Sequence, residues 1–123
     1  MQLITAVIVG DIDTLGLKDD ETRFPEVRDA LLRLGITGMT VSPVGRGGET
    51  EPVTDIFRGN EYVEREVPCL CIEVAVEDEF ASPCIYAIER AARRGKHAIG
   101  LIYAKPLEQV IRISTGETGR NAL

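Results

Sequence analysis

Two apolar stretches constrain this chain more than anything else in it. Gln2 to Val9 is β-branched and almost wholly apolar, and Val67 to Val76 alternates Leu70, Ile72, Val74 and Val76 with Cys69, Cys71, Glu73 and Ala75. A run apolar at nearly every position suits a strand buried on both faces, whereas strict alternation gives a strand with one face toward a core. Both strands must lie in a sheet that is covered on at least one side.

Two amphipathic segments supply the cover. Pro25 opens the first, Val27, Ala30, Leu31 and Leu34 recur at helical spacing, and Gly35 supplies a stop. The second opens at Asp78 and Glu79, carries Ala81, Ile85, Ile88 and Ala92 as its apolar stripe, and places Arg90, Arg93 and Arg94 near the negative pole before Gly95. Pro83 fits such a helix only near the first turn. Ile36 to Val44 and Ala98 to Ala104 read as further strands, and Gln109 to Ile113 as a short fifth one.

The resulting order is β-α-β-β-α-β with an added strand, the ferredoxin-like split unit of the α+β class, with both helices on one face of an antiparallel sheet. The opposite sheet face is then bare, although strands one and four are apolar on both sides. A patch of that size exceeds what monomers usually expose, so self-association follows from the pattern. A length of 123 residues fits one domain across 1–123.

Three segments lie outside the regular elements. Residues 10–23 read as a long acidic surface loop, 45–62 as a long irregular loop, and 115–123 as a polar tail. Loops beyond about 12 to 15 residues in a compact domain tend to be functional, so 45–62 is expected to bind or switch.

The formal net charge of −6 argues against nucleic acid and anionic lipid as partners. No apolar run approaches the roughly 20 residues of a spanning helix, and the first residues lack a signal-peptide pattern. These point to a cytoplasmic protein. Cys69, Cys71 and Cys84 lack paired metal-ligand spacing and read as small buried hydrophobes.

Chemistry of the catalytic kind is hard to assemble. His97 is the only histidine and sits in a basic helix-to-strand turn, so no nucleophile and base pair is indicated and an enzyme is not expected. Gly45-Arg46-Gly47-Gly48 is glycine-rich but lacks the strand-to-helix context of phosphate loops. Arg46 and Arg58 bracket the long loop with guanidinium forks suited to carboxylate or phosphate.

Four strings, GITGMTV at 35–41, FRGNEYV at 57–63, Arg94-Gly95-Lys96 and IRISTGE at 111–117, stand in the order found in PII signal-transduction proteins. Over nearly its whole length the chain resembles that family. The resemblance implies a homotrimer that binds adenine nucleotides in clefts between subunits and signals to a transporter, enzyme or regulator through the long loop, the T-loop. By position it implies that Thr40 and Glu73 lie near the adenine, that Gly48 contributes backbone contacts, and that Arg112 faces phosphate. Lys96 and Gly100 fall in the B-loop, and Tyr62 matches the T-loop tyrosine modified in some members.

Departures from the family pattern shape the expected ligand. Thr50 replaces the glutamine that helps hold magnesium and 2-oxoglutarate, and Cys69 stands where a lysine would reach 2-oxoglutarate. Leu101 and Ser114 replace two cationic phosphate contacts, and Glu49 stands where arginine is common. These features resemble divergent PII-like proteins, including those associated with carboxysomes, and favour ADP or AMP over ATP with bicarbonate as a second ligand. Two alternatives stay open: a nitrogen-regulatory PII protein responding to ATP and 2-oxoglutarate, and a trimeric metal-tolerance protein of the same fold using Cys69, Cys71 or His97.

Overall fold

Antiparallel pairing links four strands in the spatial order β2-β3-β1-β4 in a computed structural model. The structure describes residues 1–10, 23–55, 59–93 and 100–123, and between 48 and 67 its backbone course alone. The strands are β1 (Gln2–Val9), β2 (Thr40–Asp55), β3 (Gly59–Val76) and β4 (Gly100–Pro106). The helices are α1 (Phe24–Arg33) and α2 (Asp78–Arg93). β1 lies centrally, pairing with β3 from Gln2↔Val76 to Val9↔Cys69 and with β4 from Gln2↔Pro106 to Ile8↔Gly100.

The period-two register decides which side chains meet the helices. Ile4, Ala6 and Ile8 of β1 are buried with Leu70, Ile72 and Val74 of β3, against Val27 and Leu31 of α1 and Ala81, Cys84 and Ile88 of α2. Each fully buried leucine or isoleucine there contributes about 1.5–3 kcal/mol relative to exposure. Of the expected stripes, Val27 and Leu31 of α1 and Ala81, Ile85, Ile88 and Ala92 of α2 pack on this core, whereas Ala30 and Leu34 stay outside it and Phe24 and Cys84 take places that the spacing did not assign. Gly35 closes α1 with φ +81°, donating its N–H to the Leu32 carbonyl at 2.9 Å, while the Ile36 N–H reaches the Leu31 carbonyl at 3.1 Å. A left-handed residue is the usual helix terminator, and glycine takes it without strain.

Pro83 sits a turn further into α2 than its expected tolerance. It is exposed, so the Glu79 carbonyl that loses its helical donor can be solvated. The expected stop at Gly95 and the first two residues of the expected strand at 98–104 lie outside the described residues.

The largest correction concerns 45–62. Instead of an irregular loop, β2 and β3 run on past the sheet as a two-stranded ribbon whose pairing continues to Asp55↔Gly59. Consequently β2 spans Thr40–Asp55 rather than 36–44, and β3 begins at Gly59 rather than at Val67. Its mixed polar composition hid it, because the segment carries no sustained apolar alternation. One register shift, between Arg46 and Glu49, inserts an extra residue at Gly47-Gly48. The bulge sets Glu49 opposite Arg65, whereas an unbroken register would set it against Glu64.

The expected fifth strand at 109–113 is also replaced. Among the described residues there is only an isolated bridge, Ile111↔Thr118, within a tight reversal. There the Arg112 N–H donates to Glu117 O at 2.9 Å and the Gly119 N–H to Val110 O at 2.9 Å. The chain folds back on itself instead of extending the sheet, with Gly116 at φ +72° and Gly119 at φ +63°. The expected polar tail ends in a short 3-10 turn, Gly119–Ala122, that buries Ala122. Arg120 holds it down through Glu77 at 2.9 Å and Glu79 at 3.0 Å.

Candidate functional site

Opposite the helices, the other sheet face has no helix over it among the described residues, and the strand register lays its residues out in rows. One row runs Thr40–Glu73–Thr5–Tyr103, and the next runs Ser42–Cys71–Val7–Leu101. Thr40 and Glu73, 33 residues apart in the chain, are direct cross-strand partners, which places their Cβ atoms within about 5.5 Å. Sequence reading paired these two residues only through resemblance; the ladder now brings them together.

Thr5 is the member of this row that sequence reading missed. It is 4 % exposed and is the one buried polar residue among those described. Its signal was available, since it interrupts an otherwise apolar run. Tyr103, 50 % exposed, ends the row, and Leu101, 55 % exposed, ends the next. The face is therefore polar at one level and apolar at its β4 margin, a surface able to sandwich a flat, partly polar ring.

Cys71 lies beside this polar row. Its Sγ–H donates to Glu73 Oε1 at 3.9 Å. Burial and, after it, the Glu73 carboxylate push the thiol above its usual range, while a hydrogen bond from Ser42 opposes them. Both main causes disfavour thiolate, so Cys71 is poorly suited to soft-metal binding near neutral pH. Cys69 is buried, facing Val9 and Val44 across the ladder. No group of three or more His, Cys, Asp and Glu side chains is poised for a metal among the described residues.

The remaining predicted positions are scattered over the described structure. Gly48 lies at the bulge where the ribbon leaves the sheet. Arg46, partly exposed, is its neighbour on the sheet side, opposite Val67. Arg112 is exposed in the C-terminal reversal, between Ile111 and the fully exposed Ile113. Tyr62 stands opposite Pro52 in the ribbon backbone. Gly100 begins β4, where its φ of +153° and the approach of Val7 leave no room for a side chain. Lys96, His97 and Arg58 lie outside the described residues.

A cleft of about 200 Å³ opens at the sheet end where β1 finishes and β4 starts, lined by Val9, Gly100, Leu101, Arg23, Glu89 and Arg93 among others. Sequence reading did not single out Arg23. Its Nε donates to the Ala91 carbonyl at 3.0 Å and its Nη1 lies 3.7 Å from Glu26, while Arg93 pairs with Glu89. Both guanidiniums are thus committed to groups of the chain, and Arg23 ties the start of α1 to α2 beside the cleft.

A helix-backed antiparallel sheet with one face free of described helices and a β-ribbon continuing from it defines a ferredoxin-like α+β protein. Residues 20–117 match the family model described as Nitrogen regulatory protein P-II. The chain is 40% identical over 101 residues to the nitrogen regulatory protein P-II of Azospirillum brasilense, covering 82% of this chain and 90% of that one. It is 40% identical over 95 residues to nitrogen regulatory protein P-II 1 of Escherichia coli strain K12, covering 77% and 85%. A crystal structure of Arabidopsis thaliana PII bound to citrate superposes with a TM-score of 0.72 at 28% identity, covering 99% of this chain and 91% of that one. The chain belongs to the PII nitrogen regulatory protein family. PII proteins are non-enzymatic signal transducers that, as a family, take adenine nucleotides as effectors and act as homotrimers on target proteins. No described helix is long and apolar enough to cross a membrane.

Proposed function

We propose that this chain is a homotrimeric PII-type regulator in which an adenine nucleotide sits against the Thr40–Glu73 row, at the boundary between two copies, and biases the ribbon toward or away from a target protein. The observation that carries the reading is the direct pairing of Thr40 with Glu73 on a face that no described helix covers. A second copy would cover the exposed margin of Leu101 and Tyr103, and the exposed reversal carrying Arg112 is free to reach a neighbour's phosphates. A ligand acts on such a ribbon only through different affinity for its two states.

The relatives' names favour the nitrogen-regulatory reading over one centred on inorganic carbon. One observation favours the second reading in part: Cys69 is buried, across from Val9 and Val44, where the resemblance would place a lysine for 2-oxoglutarate. A neutral thiol there supplies no partner for a dianion.

Calorimetry separates the two. Cooperative binding of Mg-ATP and 2-oxoglutarate establishes the nitrogen-sensing input. Tighter binding of ADP or AMP, altered by bicarbonate and indifferent to 2-oxoglutarate, establishes the other. In either case Arg112→Ala weakens the nucleotide about tenfold, the usual scale of a charge-assisted phosphate contact; unchanged affinity would remove Arg112 from the site.

A further inference from the structure

β1 covers β3 only from Val76 to Cys69, and the ladder stops there because the next residue, Pro68, has no N–H to donate. Its carbonyl takes one last bond, from the Gly10 N–H at 3.2 Å. Beyond that point β3 continues from Val67 back to Gly59 with β2 on one side and, among the described residues, no strand on the other. A nine-residue strand edge of this kind spans roughly 30 Å and offers a row of unpaired backbone groups.

The two edges of the ribbon are not equivalent. β2 carries Pro43 and Pro52, which interrupt its outer edge as a template, whereas Gly59 to Val67 contains no proline. Charge is equally one-sided. Residues 47–67 hold six carboxylates, Glu49, Glu51, Asp55, Glu61, Glu64 and Glu66, against Arg58 and Arg65. Glu51 and Glu61 stand opposite Val63 and Val53, and Asp55 opposite Gly59, so only Glu49 has a cation as its cross-strand partner.

We infer that the free edge of β3 at Gly59–Val67 is a template for β-strand addition by an extended, lysine- or arginine-rich segment of the target protein. This rests on the reading of the chain as a target-docking regulator, and names the target's docking chemistry. Main-chain pairing to β3 supplies register and affinity, and the excess of carboxylates along the ribbon selects a cationic sequence. The added strand would lie where β1 would run if it were longer, extending the sheet order past Pro68.

The test uses the full chain and a labelled nine-residue peptide alternating lysine and threonine. A second peptide of the same charge has its central threonine replaced by proline, so that it keeps the electrostatics but cannot pair as a strand. Fluorescence anisotropy should show saturable binding of the first peptide, about tenfold weaker binding of the second, and weakening of the first as salt rises. The triple variant Glu61→Gln, Glu64→Gln, Glu66→Gln, with its fold checked by circular dichroism, should bind the first peptide at least about tenfold less tightly. Equal binding of both peptides would reduce the edge to a charged patch and overturn strand addition, and so would parent-like binding by the triple variant or no binding at all. ADP titration of the parent protein reads the regulatory function separately: peptide discrimination without ADP binding would sink that reading and leave the docking edge standing.

Discussion

Replacing Gly100 with alanine tests the geometry at the start of β4. A Cβ at this position would lie 2.1 Å from the Val7 carbonyl oxygen and 3.2 Å from its carbon, both main-chain atoms with little freedom to yield. The φ of +153° adds backbone strain of about 1–3 kcal/mol for any residue with a side chain. Relieving the clash moves the first residue of β4 away from β1, forfeiting one or two ladder hydrogen bonds of about 1 kcal/mol each. The sum is about 3 kcal/mol, which for a chain of 123 residues lowers Tm by roughly 10 °C. Thermal unfolding by circular dichroism at one fixed protein concentration measures it, because association would otherwise shift Tm on its own. Gly38→Ala is the control, since nothing lies within 4 Å of the Cβ it would acquire. A Gly100→Ala protein melting within about 3 °C of the parent would refute the argument, because the strain alone predicts more.

Three other outcomes follow from the same structure. Leu31→Ala, in the fully buried centre of α1, should cost about 3 kcal/mol in a denaturant titration with little change in slope. Tyr103→Asp on the uncovered face should shift a sedimentation profile from trimer to monomer, and an unshifted trimer would move the subunit boundary elsewhere. Burial pushes the Cys84 thiol from an ordinary value of 9.0 up to about 11. Because the unfolded chain then loses its proton first, the Cys84 contribution is intact below pH 9 and is lost as pH rises toward 11, visible as falling Tm. Thiol labelling at pH 8 should also leave Cys84 unmodified until denaturant is added.

The helices and the buried strand faces were legible because each has a periodicity that only a core can impose. Leu70, Ile72, Val74 and Val76 alternate, and Val27, Leu31, Ala81 and Ile88 recur at helical spacing. The ribbon was not legible, since Glu49 to Asp55 and Gly59 to Val67 have mixed composition and their pattern resembles a polar loop. The fifth strand was overread for the opposite reason. Gln109 to Ile113 looks apolar enough for a strand, yet Ile111 and Ile113 are exposed and the chain turns back at Gly116. Thr40 and Glu73 entered the candidate site by resemblance, and Thr5 did not enter it at all, because cross-strand neighbours are distant in sequence.

Composition, periodicity and the breaking residues determined by themselves that this chain forms two helices on one side of an antiparallel sheet. They did so because burial of apolar surface follows local spacing and is the largest favourable term in folding. Registry was left to the tertiary structure. Only the ladder decides that Thr40, Glu73 and Thr5 share a row, that Glu49 meets Arg65, and that Pro68 ends the pairing of β1 with β3. The pairing of distant strands is fixed jointly by every contact along them, and a slip of one residue exchanges the two faces.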